Sequence, residues 1–140
     1  MSELLAPVSY GELIDKISIL EIKAERIADA AKVANVRREL DALLATWNAH
    51  PASRLQPIDD LWEGLRKVNG ELWDIEDRIR DKERAGSFDA EFIELARAVY
   101  FTNDVRAKLK RDLNARLGSA LVEEKSYADY ARADGGAPKV

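Results

Sequence analysis

Leu61-Trp-Glu-Gly-Leu-Arg-Lys-Val-Asn-Gly-Glu-Leu-Trp-Asp-Ile-Glu-Asp-Arg-Ile79 decides the fold. Its apolar residues Leu61, Leu65, Val68, Leu72, Ile75 and Ile79 follow one another at alternating steps of four and three. That spacing keeps them on one side of a helix. Three other stretches carry the same signal. They are Leu13, Ile17, Leu20, Ala24, Ile27; then Val33, Val36, Leu40, Leu43, Trp47; then Phe92, Leu95, Val99, Thr102, Arg106, Leu109, Leu113. In the last of these, Thr102 and Arg106 stand where a bundle wants apolar side chains.

The punctuation between the stretches sets the helix ends. Ser9-Tyr10-Gly11-Glu12 reads as a capping box, with Val8 and Leu13 at the staple positions. The first helix should run to about Ile27, and Asp29 should cap the second. Pro51 ends that helix near His50, because a proline disfavours helix at the residue before it. Asp59 or Asp60 should cap the third helix, which runs to about Ala85. Gly86 offers a left-handed stop, Ser87 should cap the fourth helix, and Gly118 should end it. Short connections make antiparallel neighbours. The expected fold is therefore all-α: an antiparallel four-helix bundle, or coiled coil, of two helical hairpins, the second longer, with a C-terminal tail segment. Residues 1–127 are read as one helical domain and 128–140 as a flexible tail, since Ala133 to Val140 is small, polar and Gly/Pro-containing. The overhang of the second hairpin must project, be covered by the tail, or meet a second copy, which makes a homodimer the expected assembly.

Composition limits the chemistry. With 140 residues the chain can hold one real core. It has no cysteine, so it has no disulfide, no thiolate nucleophile and no Cys-ligated zinc. A net charge of −4 with mixed signs gives no electrostatic footprint for nucleic acid. No apolar run approaches the roughly 18 residues needed to cross a bilayer, and Met1 to Pro7 does not read as a signal peptide. A cytoplasmic protein is expected. The single histidine, His50, lies before a proline in a loop, which argues against a metal site, and no cofactor is implied.

Polar residues beside the seams are the functional candidates. Asn69, Trp73, Glu76 and Arg80 form one strip on helix three, with Asp77 next to it. Tyr100, Asn103 and Arg106 line a strip on helix four, with Lys110 one turn on. Lys16 and Glu21 flank the seam of helix one. Two readings follow. In the first, Arg106 pairs with Glu76 or Asp77 and fixes helix register, as a single polar core residue does in a coiled coil. In the second, Lys16, Glu21, Asn69, Trp73, Glu76, Arg80, Tyr100, Asn103 and Arg106 contact a ligand. The arginines would then offer planar forks to an anionic metabolite such as a nucleotide-sugar or a dicarboxylate. Trp47, Trp62 and Trp73 are expected mainly as packing anchors, with Trp73 also suited to a sugar, an aromatic ligand or a protein interface.

Two enzyme families share fragments of this pattern. Glu71-x-x-Asp74 and Glu91-x-x-Glu94 resemble the magnesium motifs of MazG-type nucleotide pyrophosphatases, but in reversed order, and among 26 acids such pairs arise by chance. Leu65-Arg66-x-x-Asn69 with Asp74 and Asp77 resembles the opening helix of helical chorismate mutases. Here Asn69 stands where their pattern has Asp, and the downstream basic spacing differs.

A longer resemblance covers almost the whole chain. Val8-Ser-Tyr-Gly-Glu-Leu-Ile-Asp-Lys-Ile-Ser-Ile-Leu-Glu-Ile-Lys23, Leu72-Trp-Asp-Ile-Glu-Asp-Arg-Ile-Arg80, Val99-Tyr-Phe-Thr-Asn-Asp-Val-Arg-Ala-Lys-Leu-Lys110 and Leu121-Val-Glu-Glu-Lys-Ser-Tyr127 resemble blocks of a small bacterial family catalogued as a domain of unknown function. The resemblance implies a stand-alone helical protein whose relatives lie near glycan-assembly genes. It supplies no catalytic residues. The expected function is that of a non-catalytic accessory or interaction protein, with a protein partner and a link to surface-glycan assembly. The alternative is a binding protein or enzyme for an anionic metabolite. The Leu121–Tyr127 block is expected to fold back against the polar strips.

Overall fold

The computed structural model describes residues 2–140. Four helices make up the fold: α1 (Tyr10–Arg26), α2 (Ala30–Ala49), α3 (Asp59–Ala85) and α4 (Ala90–Leu117), with a 3-10 turn at Pro51–Arg54. No strand occurs among the described residues. The fold is thus all-α and antiparallel within each hairpin, with the second hairpin the longer.

Several ends form as the local chemistry dictates. Ser9 Oγ accepts from the Glu12 amide at 3.1 Å, and Asp29 Oδ1 accepts from the Lys32 amide at 2.9 Å. Gly86 (φ 66°) and Gly118 (φ 67°) close α3 and α4 in the left-handed region that favours glycine. Three end expectations need correction. Ile58 precedes α3 without a side-chain cap. Asp59 and Asp60 lie inside the first turn, where the helix dipole favours acids, and Asp60 is held by both terminal nitrogens of Arg116. At α4 the cap is Asp89, not Ser87: Asp89 Oδ1 accepts from the Phe92 amide at 3.0 Å. Ser87 belongs to the preceding turn, its amide donating to the Lys82 carbonyl. The capping box is half formed, because Lys110 engages the Glu12 carboxylate at 2.7 Å.

The central element is α1, which packs against α2, α3 and α4. Gly11 meets Asn114 and Asp15 meets Arg106, so α1 runs antiparallel to α4 and in the direction of α3. The main core gathers Ile14, Ile17 and Leu20 of α1 with Leu40 and Trp47 of α2, Leu61, Leu65 and Val68 of α3, and Leu113 and Leu117 of α4. Trp47 and Trp62 meet edge to face, centroids 6.5 Å apart. Beyond this core the α3–α4 hairpin continues alone over a smaller cluster of Ile75, Leu95 and Ala98.

From Ser119 the chain is without helix or strand and returns along α4. Glu123 meets Lys110, Tyr130 donates to Asp104, the Gly136 carbonyl accepts from Arg97, and the Lys139 amide donates to Glu94. Residues 128–140, expected as a loose tail, thus lie against the projecting part of the second hairpin.

Candidate functional site

Polar residues enter the helix contacts at one place. On α1, Gly11, Asp15, Ser18 and Ile22 follow at steps of four, three and four, and all are buried. This stripe faces α3 and α4. A Cβ at Gly11 would overlap the Lys110 carbonyl oxygen, so the two backbones approach closely there. The Gly11 amide, one of the first-turn donors that a helix leaves unpaired, donates to Asn114 Oδ1 at 2.7 Å.

One turn on, the Asp15 side chain is only 1% exposed. Arg106 forks onto it, Nε to Oδ1 at 2.9 Å and Nη2 to Oδ2 at 2.5 Å. Asn69 Nδ2 donates to the same Oδ1 at 2.9 Å and to Ser18 Oγ at 2.9 Å, while Ser18 Oγ donates to the Asp15 carbonyl at 2.7 Å. A carboxylate out of water needs such a set of donors. The Asp15 hydrogen bonds raise the pKa of Arg106 further above its usual value, so the guanidinium stays charged. The partner expected from the sequence, Glu76 or Asp77, is replaced by an acid of α1.

A second ion cluster lies beside the first. Lys110 is 7% exposed and donates to Glu12 at 2.7 Å and to Glu123 of the returning tail at 2.8 Å. Burial opposes its charge, but the two carboxylates outweigh that and raise its pKa. Lys110 in turn holds Glu123 below the usual glutamate range.

Five of the nine residues singled out in the sequence meet at one cleft of about 470 Å³. Asn69, Trp73, Glu76, Asn103 and Arg106 line it with Ile19, Ile22, Leu72 and Asp77. The other four lie elsewhere. Lys16 pairs with Glu39 of α2 at 3.3 Å, and Glu21 accepts from the Trp62 indole at 2.8 Å. Arg80 pairs with Glu76 at 3.1 Å and is exposed. Tyr100 packs on Phe101 and Tyr130 across α4. It belongs to a second cleft of about 370 Å³, whose walls also include Asn103, Arg106, Lys125 and Tyr127. Arg106 therefore stands between two concavities, one of them walled by the tail.

Sequence reasoning missed Asp15 and Ser18. The signal was present: Leu13, Ile14, Ile17, Ile19, Leu20 and Ile22 are too many apolar residues for one stripe. A helix so broadly apolar is enclosed by several neighbours, and the polar residues among them are then buried too. The four acids of the pyrophosphatase-like pairs are engaged by cations: Glu71 by Lys67, Asp74 by Arg26, Glu91 by Arg78 and Lys82, Glu94 by Arg97.

This helical chain belongs to a family whose function is unassigned. It is the family of unknown function DUF6165, whose model matches residues 4–135. No curated protein and no solved structure matches the chain.

Proposed function

We propose that this protein is a non-catalytic accessory protein that works through protein–protein contact. We place it in the bacterial cytoplasm, as a homodimer, with a link to surface-glycan assembly. One observation carries the non-catalytic part: Arg106 is committed to the Asp15 carboxylate through two hydrogen bonds. A site for an anionic metabolite needs a cation with charge to spare. Arg106 has its counter-ion within the fold, and Arg80 has Glu76. Among the described residues, no fully enclosed side-chain nitrogen or oxygen lacks a partner, which fits a network that sets helix register. No described helix is long and apolar enough to cross a membrane. The projecting hairpin exposes Phe88 and Ile93, which suits contact with another chain.

The test is thermal unfolding of the wild type and of Arg106→Leu, each with dicarboxylates, nucleoside diphosphates and nucleotide-sugars. A ligand at 100 times its dissociation constant stabilises by about 2.7 kcal/mol. The expected result is no shift by any of these anions, together with a lower Tm for the variant under every condition. An anion that shifts the wild type and not the variant would replace the accessory reading with a metabolite site. Turnover of chorismate would do the same for the enzyme alternative.

A further inference from the structure

The cleft between α1, α3 and α4 is lined by Asn69, one of whose polar atoms the fold leaves without a partner. Asn69 is only 6% exposed. Its Nδ2 uses both hydrogens, one on Asp15 and one on Ser18. An ionised carboxylate only accepts, so the amide cannot be turned the other way. Oδ1 is thus directed away from Asp15. No donor among the described residues reaches it, and it is not sealed off, since no enclosed side-chain oxygen is unpartnered. Asn69 lines the cleft, and Oδ1 is the atom it has left to present there.

The rest of the lining narrows what could meet that acceptor. Asp77 and Asn103 are exposed at the rim, and Arg106 keeps Nη1 after binding Asp15 through Nε and Nη2. Trp73, Leu72 and Ile22 supply an apolar wall. An anion would meet the Asp77 and Glu76 carboxylates with no unbalanced cation to hold it. A cation would meet the Arg106 guanidinium, whose Nη1 makes no hydrogen bond to a carboxylate. A wholly apolar compound would cover Asn69 Oδ1 and leave it dry, which is costly for a buried acceptor. What fits is an uncharged molecule whose polar groups both donate and accept and whose faces carry C–H bonds. Hydroxyls can donate to Asn69 Oδ1 and Asp77 and accept from Arg106 and Asn103, while a C–H face lies on the aromatic wall. We propose that this cleft binds an uncharged saccharide of one or two rings. Its volume of about 470 Å³ lies within the usual range of small-ligand pockets. The inference goes beyond the accessory reading and stands on the cleft alone.

The test uses the full chain with glucose, galactose, mannose, N-acetylglucosamine, maltose and lactose, followed by calorimetry and by tryptophan fluorescence. Glucose 6-phosphate and galactose 1-phosphate are the charged controls. Asn103→Ala and Asp77→Ala alter exposed rim residues without touching the Asp15 network, so the fold should survive both. At least one sugar is expected to bind in the millimolar range, each variant to weaken it about tenfold, which is about 1.4 kcal/mol, and the phosphate esters to bind more weakly than their parent sugars. Absence of heat with every sugar would overturn the proposal. So would tighter binding of a phosphate ester, or affinity that ignores both substitutions. Failure with the neutral sugars leaves the accessory reading standing, because that reading falls only to an anion or to turnover.

Discussion

Asp15 and Arg106 differ in what each can do when the other is removed. The Asp15 side chain is sealed at 1% exposure, whereas that of Arg106 is 29% exposed at the edge of two clefts. Arg106→Leu strands a carboxylate in the core and should cost about 3–5 kcal/mol. Asp15→Leu lets the long guanidinium side chain swing into water, so it should cost less, about 1–3 kcal/mol. Urea unfolding of both variants and of the double variant checks this. The double variant should be less destabilised than the sum of the singles, as residues in one network are. Equal losses for the two singles would mean that Arg106 is as enclosed as its partner. Asn69 is the third member, and its amide orientation follows from the acid it serves.

Among the elements, the contact of α1 with α4 is the most exacting. Gly11 lets the α4 carbonyl of Lys110 approach where a Cβ would stand. Gly11→Ala must push two helix backbones apart, and at such sites added atoms cost about 1–3 kcal/mol. Gly64→Ala should cost less, because the atoms near its Cβ are the end of the flexible Leu109 side chain. Denaturant midpoints of the two variants give the comparison. The helices themselves were legible in the sequence. Period, prolines and glycines place all four, and Gly86 and Gly118 fall at the ends they were expected to make. Which helix is central was not legible from one stripe per helix, since a single seam describes a helix with one neighbouring face. The site followed the same rule: Arg106 was visible as an intrusion on a seam, and Asn69 and Trp73 as a polar strip beside one. Asp15 was hidden because it lies on a second seam of α1, one that exists only when α3 and α4 are both in place. The caps of α3 and α4 were misplaced because Asp60 and Ser87 take other partners once the chain is folded.

At the scale of the whole molecule, the returning tail is held by charge and by tyrosine. Glu123 has its pKa lowered by Lys110, so its contribution is complete above the ordinary glutamate range. It is lost as pH falls through the lowered value. Lys110 has its pKa raised, so its share is complete below the ordinary lysine value and is lost as pH rises through the raised one. The Tyr130 hydroxyl, donating to Asp104, is pushed up to about 12, so its bond also survives until strongly alkaline solution. Backbone nitrogen relaxation of residues 121–130 should therefore show an ordered segment across the neutral range and a mobile one on acidification, with Glu123→Gln already more mobile at neutral pH. Order that does not change with acid would show that apolar contacts hold the tail. Light scattering at micromolar concentration should give the mass of two chains, and a mass of one would refute the dimer. The tail's course also fixes how far apart labels would sit. Gly11 lies beside Asn114 and Lys139 beside Glu94, so α4 separates the two places by its own rise of about 30 Å. A donor dye at Ala115, next to Asn114 on the exposed side of α4, and an acceptor at Lys139 would then act as a ruler along the bundle. The energy transfer between them would report, in a single population-weighted signal, whether the strap is fastened.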